Sequence, residues 1–234
     1  MYKVDQSRPA SPANPEVSLE QDPAPRLAPS LAPEHDWSAA SRLVRPALRP
    51  IGTAGTDGHD LRVPAANAGP GKPIVKAGPA GLSILYVLPG PGFDVIVSVD
   101  HLLAWGVGPD QVHAAAISNL GSWSKGASWV DEMEGHRRVV WSDWGEGLDA
   151  ARILLEEVRS QLVLDLAPAR RILVGLPERD LLIAAGLAEG DVEFASMFAD
   201  YVADRARAAD EPIDARTFEL VEGELLEVGA SFEV

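Results

Sequence analysis

Two acids and two arginines between positions 149 and 180 have the residue types and spacing best suited to chemistry. Asp149 and Arg152 lie three residues apart in a stretch that predicts a helix, so their side chains should share one helix face. Arg152 also lies among apolar positions of that helix, so its stem should be partly buried and its guanidinium needs an acceptor. Asp180, in the turn of the next hairpin, is the acceptor that we expect first, and Asp149 is the second.

Two roles are open for Arg152. It can act as a clamp that holds the helix to the sheet. Alternatively, Arg152 and Arg179 can face a cleft together and bind a carboxylate or a phosphate, because a planar guanidinium binds such groups through two parallel hydrogen bonds. Carboxylates in the same cleft would then suit a hydrolase-type enzyme.

Trp141 and Trp144 flank the same turn, and Trp123 and Trp129 are close to them in sequence. Aromatic side chains of this kind usually fill a core or cover a sheet edge. Two of them exposed beside one turn would instead form an aromatic patch, which is a common anchor of protein interfaces. Both interpretations stay open, and Trp141 and Trp144 join the two acids and two arginines above as candidate binding residues.

No motif for catalysis, metal binding or cofactor binding is recognisable elsewhere. The five histidines are scattered without the spacing of a metal site, and the chain has no cysteine. Neither a G-x-S-x-G nucleophile elbow nor a G-x-x-x-x-G-K-S/T phosphate loop occurs. Gly145-Glu146-Gly147 is similar to a phosphate cradle before a helix, but Asp143, Glu146 and Asp149 would repel a phosphate. The sequence therefore predicts no catalytic residue, no metal and no cofactor.

Acidic residues dominate the charge of the chain. It carries 35 Asp and Glu against 20 Lys and Arg, a formal net charge of −15. The imbalance is concentrated at the end, because residues 187–234 hold thirteen acids against three arginines, a net charge of −10. Such a field repels nucleic-acid backbones and anionic membranes, so we expect neither as a partner. It favours either a basic protein partner or a solvated acidic face that aids solubility.

Composition divides the chain into three parts. Residues 1–42 are rich in Pro and Ala and poor in large apolar side chains, which predicts a disordered tail. Residues 43–80, rich in Gly and Pro, should form a lead-in that wraps the main domain, and a short helix is expected over 37–48. Residues 81–234 should form the main α+β domain. Since neither a secretory signal nor an apolar run of about 18 residues occurs, we expect a cytoplasmic protein.

The main domain repeats one pattern, a β-hairpin followed by a helix. The predicted hairpins cover 82–99, 127–141, 172–185 and 217–228, with turns rich in Gly, Pro or Asp. Three helices are predicted. The first begins at Pro109 and ends at Gly121, the second covers 148–162 and the third covers 192–206. Because hairpins require antiparallel pairing, we predict three hairpin–helix units and a closing hairpin, in a mainly antiparallel sheet with helices packed on it.

Three motifs carry a resemblance to a known family. They are G-L-D-A-A-R-I-L at 147–154, L-V-G-L-P-E-R-D-L-L-I-A at 173–184 and P-I-D-A-R-T-F-E-L-V-E-G-E-L-L-E at 212–227. In this order, they resemble the YtpQ-like family of bacterial proteins of unknown function. Residues 102–120 resemble the first helix of that family and L-V-R-P-A-L-R-P at 43–50 resembles its lead-in, so the resemblance extends over residues 43–228. Members of that family usually carry a folded segment before the lead-in, where this chain has its Pro/Ala-rich tail. The resemblance implies a fold but no activity.

The primary functional interpretation is a non-catalytic binding or adaptor protein that uses its acidic face or its tryptophan-rich turn, with a basic protein as partner. The alternative is a hydrolase-type enzyme with carboxylates and Arg152 in a cleft. A concave pocket with convergent polar groups would favour the enzyme, and a flat or convex acidic surface would favour the adaptor.

Overall fold

The computed structural model describes residues 35–50, 59–60, 71–90 and 93–228. Residues 1–34 of the predicted disordered tail over 1–42 lie outside the described part. Helix α1, Trp37–Ala40, begins at Asp36, whose side chain caps it by accepting a backbone N–H at 2.9 Å. Ala40 is buried, and the rings of Trp37 and Trp105 lie 5.4 Å apart. The hydrophobic core therefore includes residues before position 42.

The first sheet has five strands: β1 Arg45–Pro50, β2 His59–Asp60, β3 Ile74–Ala77, β4 Leu82–Pro89 and β5 Asp94–Ile96. Strand β4 pairs antiparallel with β1 on one side and with β3 and β5 on the other. The short β2 pairs parallel with β3. The predicted hairpin over 82–99 is thus confirmed, and the lead-in contributes strands to the sheet rather than only wrapping it.

The predicted helix over 37–48 is correct only for its first four residues. Val44, Pro46 and Leu48 are buried while their neighbours are less so, which is the period-two pattern of a strand. Pro46 has no N–H to continue a helix. The side-chain amide of Asn119 donates to the Ser41 carbonyl at 2.9 Å and to the Val44 carbonyl at 2.8 Å, and so it satisfies the backbone where the helix ends.

The second sheet has six strands: β6 Val130–Glu134, β7 Arg137–Ser142, β8 Arg171–Glu178, β9 Leu181–Leu187, β10 Thr217–Val221 and β11 Glu224–Glu227. Their order across the sheet is β11-β10-β8-β9-β7-β6, and every neighbouring pair is antiparallel. The other three predicted hairpins are confirmed as β6–β7, β8–β9 and β10–β11. The α+β fold class is confirmed, although the four hairpins are divided between two sheets.

The helices differ from the prediction in three places. Helix α2, Val99–Trp105, was not predicted, and it ends at Gly106 in the left-handed conformation with φ 65°. Helix α3, Pro109–Ser124, begins at the predicted proline but continues past Gly121. The predicted helix over 148–162 is broken into the 3₁₀ segment Ala150–Leu154 and helix α4, Glu156–Asp165. The break is at Leu155, whose backbone is extended and whose side chain is buried.

Two hydrophobic clusters lie on the two faces of the six-stranded sheet. The larger cluster joins this sheet to the five-stranded sheet, α3 and α4, and the smaller one lies beneath helix α5, Val192–Ala208. Helix α5 packs on β8 and β9 through Phe194, Phe198 and Val202. None of the described helices is long and apolar enough to cross a membrane.

Candidate functional site

Ser142, Asp149 and Arg152 form a buried polar cluster where β7 ends and the 3₁₀ segment begins. The Ser142 hydroxyl donates to Asp149 Oδ1, and Arg152 Nη1 donates to Ser142 Oγ at 2.6 Å. Asp149 Oδ2 accepts the Gly145 N–H at 3.2 Å. Asp149 is fully buried and Arg152 is 2% exposed. The hydroxyl of Ser142 therefore joins a buried carboxylate to a buried guanidinium.

Arg152 also connects the sheet to the end of α3. Its Nε donates to Ser124 Oγ at 3.0 Å, and its guanidinium carbon lies 4.1 Å from the centroid of the Trp129 ring, a cation–π contact. Burial lowers the pKa of Arg152, and the Asp149 charge offsets part of that effect. These contacts fit the clamp role and leave Arg152 outside any cleft lined by Arg179.

The predicted contact between Arg152 and Asp180 is wrong. Asp180 instead accepts the backbone N–H of Gly147, because the β8–β9 turn folds over the loop before the 3₁₀ segment. The Ala150 N–H donates to the Arg179 carbonyl at 3.1 Å in the same place. The predicted first turn of an α-helix at Asp149 is also wrong, since a 3₁₀ segment follows it.

Arg179 points away from Arg152 and joins the two sheets. Its Nη2 lies 2.9 Å from Asp94 at the start of β5, and its Nη1 lies 2.9 Å from Glu211, which follows α5. Burial alone would lower the pKa of Arg179, but its hydrogen bonds to Glu211 and Asp94 raise that pKa above the ordinary value. The guanidinium also packs on Gly147, where a Cβ atom would overlap it. Both ends of this guanidinium are therefore occupied by carboxylates of the chain.

A cleft of 460 Å³ lies beside the β8–β9 turn. Arg179 is the only basic side chain among the described residues that line this cleft, and five carboxylates surround it. The lining residues are Gly145, Glu146, Gly147, Glu178, Arg179, Asp180, Asp210 and Glu211. Since Arg179 is neutralised by its own ion pairs, the cleft presents mainly negative charge. It therefore suits neither the carboxylate nor the phosphate that was expected beside the two arginines.

Trp141 and Trp144 do not form one patch. Trp144 is 51% exposed in the loop after β7, whereas Trp141 lies half-buried on the face of β7 that points toward α5. Trp123 is tied to that loop, because its indole N–H donates to Glu146 at 2.7 Å. Trp123 and Trp129 both pack against the larger hydrophobic cluster, in agreement with the core interpretation, while Trp141 and Trp144 belong to separate surfaces.

Trp141 lines an apolar groove between β7 and α5, which we call the Trp141 groove. Helix α5 covers β8 and β9, so Val139 and Trp141 of the neighbouring strand β7 lie open beside it. Most of the lining is aromatic or aliphatic, and the groove encloses 290 Å³ between Glu132, Val139, Trp141, Ile183, Phe194, Met197, Phe198 and Tyr201. Met197 is 55% exposed and Tyr201 is 45% exposed. Large apolar side chains thus remain in contact with solvent here.

The rim of the Trp141 groove is acidic. Glu132, from β6, is the one charged side chain among the described residues that line it. Glu132 forms no ion pair with another described residue. Arg137 at the end of the groove is already paired with Asp191 at 2.9 Å, and this hydrogen bond lowers the pKa of Asp191 to about 2. The uncompensated charge at the rim is therefore negative.

The sequence prediction included Trp141 but missed the helix side of the groove. Met197 and Tyr201 are four residues apart and lie beside the buried stripe of α5 that contains Phe198 and Val202. The sequence did indicate this surface in one way, because the apolar stripe of α5 is wider than one sheet face can cover. Which apolar residues stay exposed depends on where α5 lies over β8 and β9, and the spacing along the helix does not determine that position.

Across the described ranges, no group of three or more His, Asp or Glu side chains is arranged to hold a metal ion. Comparisons with protein-family models, with curated proteins and with solved structures found no match to this chain. The resemblance to the YtpQ-like family therefore stays a prediction.

Proposed function

We propose that this chain is a non-catalytic binding or adaptor protein that holds a basic, partly apolar segment of a partner protein in the Trp141 groove. The observation that carries the proposal is an open apolar groove with an acidic rim in the described part of a chain of net charge −15. Large aromatic and aliphatic side chains supply the contact energy of such interfaces, and rim charges select the partner and speed association. A segment with Leu or Met side chains and flanking Lys or Arg has the matching chemistry.

The burial of the polar cluster favours this proposal over a hydrolase. Asp149 and Arg152 are the acid and the arginine that a cleft-based enzyme was expected to use, and both are sealed beneath the loop after β7. A catalytic group must come within hydrogen-bond distance of its substrate. Groups buried behind a turn of the same chain do not meet that condition without a rearrangement of the loop.

The binding of a defined peptide tests the proposal. A fluorescent amphipathic peptide of Leu and Lys should bind, whereas the same peptide with Glu in place of Lys should not, because the rim repels it. Met197→Gln removes an apolar contact at nearly constant size and should weaken binding of the Leu/Lys peptide about tenfold or more, as measured by anisotropy.

Leu164→Gln is the matched control, since Leu164 is 70% exposed on α4 and does not line the Trp141 groove. It should leave the affinity unchanged. Equal binding of both peptides, or equal effects of the two variants, would contradict the proposal.

A further inference from the structure

A second cleft brings basic side chains together in this acidic chain, and we call it the Arg159 cleft. It encloses 590 Å³, within the range of small-molecule sites, and it lies where β3, α3 and α4 meet the β10–β11 turn. Three basic side chains line it: Lys76 from β3, His113 from α3 and Arg159 from α4. Aliphatic side chains form much of the remaining wall, among them Ile84, Ile117, Leu154 and Leu225.

The guanidinium of Arg159 is held in place by backbone carbonyls. Its Nε donates to the Gly223 carbonyl at 2.6 Å, and its Nη1 donates to the Ile153 carbonyl at 2.8 Å. In the part of the chain that the structure describes, Nη2 has no hydrogen-bond partner. A rotamer-rich side chain is thus oriented in advance, which lowers the entropy lost when a ligand binds to it.

Neither Arg159 nor Lys76 has a carboxylate partner among the described residues, whereas most of the arginines there do. Nine arginines of the described residues form ion pairs with Asp or Glu side chains: Arg49, Arg137, Arg138, Arg170, Arg171, Arg179, Arg205, Arg207 and Arg216. With acids this abundant, two cations that form no ion pair and line one cleft are available to bind a ligand. An anionic group of a ligand would pair with them.

His113 adds a neutral hydrogen-bond donor to the same wall. Its Nδ1 lies 2.9 Å from the hydroxyl of Tyr86, which is fully buried and has no other hydrogen-bond partner among the described residues. Because the phenol has no other acceptor there, it donates its proton to Nδ1, and burial raises the pKa of Tyr86. Burial, and then the charge of Lys76, lower the pKa of His113, which favours the neutral ring. With Nδ1 as the acceptor, the proton of this neutral ring is assigned to Nε2.

Two carboxylates of β11 limit the charge that a ligand can carry. Glu227 lines the cleft but is paired with Arg216 at 2.7 Å, and Glu224 lines it as an exposed side chain. Together they disfavour a dianion such as a phosphate monoester more than a monoanion. The aliphatic wall in turn favours a ligand with an apolar body.

We propose that the Arg159 cleft binds a small organic carboxylic acid, with its carboxylate between Lys76, His113 and Arg159 and its apolar body against Ile117 and Leu225. This site shares no residue with the Trp141 groove, so a test of ligand binding here does not depend on the adaptor function. It would make the chain a carrier or sensor of an amphipathic acid.

Calorimetry and methyl NMR with sodium octanoate test this proposal. Octanoate should bind and shift the methyl signals of Ile117 and Leu225. Octan-1-ol, which lacks the charge, and octyl phosphate, which carries more of it, should each bind more weakly. Lys76→Gln and Arg159→Gln should each weaken octanoate binding about tenfold or more, because each removes a charge-assisted contact.

Lys125→Gln is the matched control, since it removes the same charge from an exposed position at the end of α3 that does not line the cleft. Lys76→Gln still tests the proposal if the Arg159 variant does not fold. The Lys76 side chain makes no hydrogen bond within the described part of the chain, so its replacement should not affect folding. Octan-1-ol binding as tightly as octanoate, or Lys125→Gln acting like Lys76→Gln, would overturn the proposal. Tighter binding of octyl phosphate would overturn the assignment of a carboxylate.

Discussion

The surroundings of Arg152 could be predicted only in part from its spacing in the sequence. Its position among apolar residues correctly indicated burial and the need for an acceptor. Its acceptors are the hydroxyls of Ser142 and Ser124 rather than a carboxylate of the next turn. Serine is so common in loops and strand ends that no sequence pattern selects these two. Asp149 and Arg152 do lie on one side, as their spacing indicated, because both contact Ser142.

Arg152→Lys is expected to lower the free energy of unfolding by about 2 kcal/mol. Lysine keeps the charge but not the planar fork that reaches Ser142 and Ser124 together, and it loses the stacked contact with Trp129. The remaining ammonium would be buried with unsatisfied donors, which is itself unfavourable. Chemical denaturation of the two proteins measures the difference.

Arg170→Lys is the control for this change. Arg170 is paired with Glu189 at 3.2 Å, and both side chains are about three-quarters exposed. Surface pairs of this kind contribute little, so the control should stay within about 0.5 kcal/mol of the wild type. If the two variants are equally stable, Arg152 does not act as a clamp.

The hairpins could be read from the sequence because their turns are local. Glu134-Gly135-His136 and Glu222-Gly223 separate predicted strands, and the structure has a strand on each side of both turns. The end of α3 and the break at Leu155 could not be predicted from local sequence, because both depend on tertiary contacts with residues distant in the chain. Gly121 is an interior helix residue that faces Glu157 and Leu155 across a helix–helix contact.

Gly121→Ala is therefore expected to stabilise the protein by up to about 1 kcal/mol, since alanine favours the helix interior over glycine. A Cβ atom at this position would lie 3.7 Å from Glu157 Oε1 and 4.0 Å from Leu155 Cδ2, both ordinary van der Waals distances. Thermal unfolding, followed by circular dichroism, measures the change.

Gly175→Ala should change the free energy of unfolding in the opposite direction from Gly121→Ala. Gly175 lies in β8 beneath α5, where a Cβ atom would overlap the buried side chain of Val202. Overpacking at such a contact should destabilise the protein by about 1–3 kcal/mol. A destabilising Gly121→Ala would mean that α3 ends at Gly121, as the sequence alone suggested.

At the scale of the whole molecule, the sequence predicted the units but not their assembly. The first hairpin belongs to one sheet and the other three belong to a second sheet, because the lead-in supplies β1 to pair with β4. Arg179 joins the two sheets through Asp94 and Glu211, which are far apart in sequence. Pairing of this kind depends on long-range contacts that hydrophobic periodicity does not encode. The Trp141 groove and the Arg159 cleft are both products of that assembly.

The net charge of −15 predicts how a basic partner should associate with the whole molecule. Long-range attraction accelerates encounter, and salt screens it, with a Debye length of about 8 Å at physiological ionic strength and about 3 Å at 1 M. The association rate constant of the Leu/Lys peptide should therefore fall at least about tenfold from low salt to about 1 M. Its dissociation rate constant should change less, because the apolar contacts of the Trp141 groove are not screened. Stopped-flow fluorescence separates the two constants, and Met197→Gln should act mainly on dissociation. An association rate that does not respond to salt would assign the interface to apolar contacts alone and would remove the basic partner from the proposal.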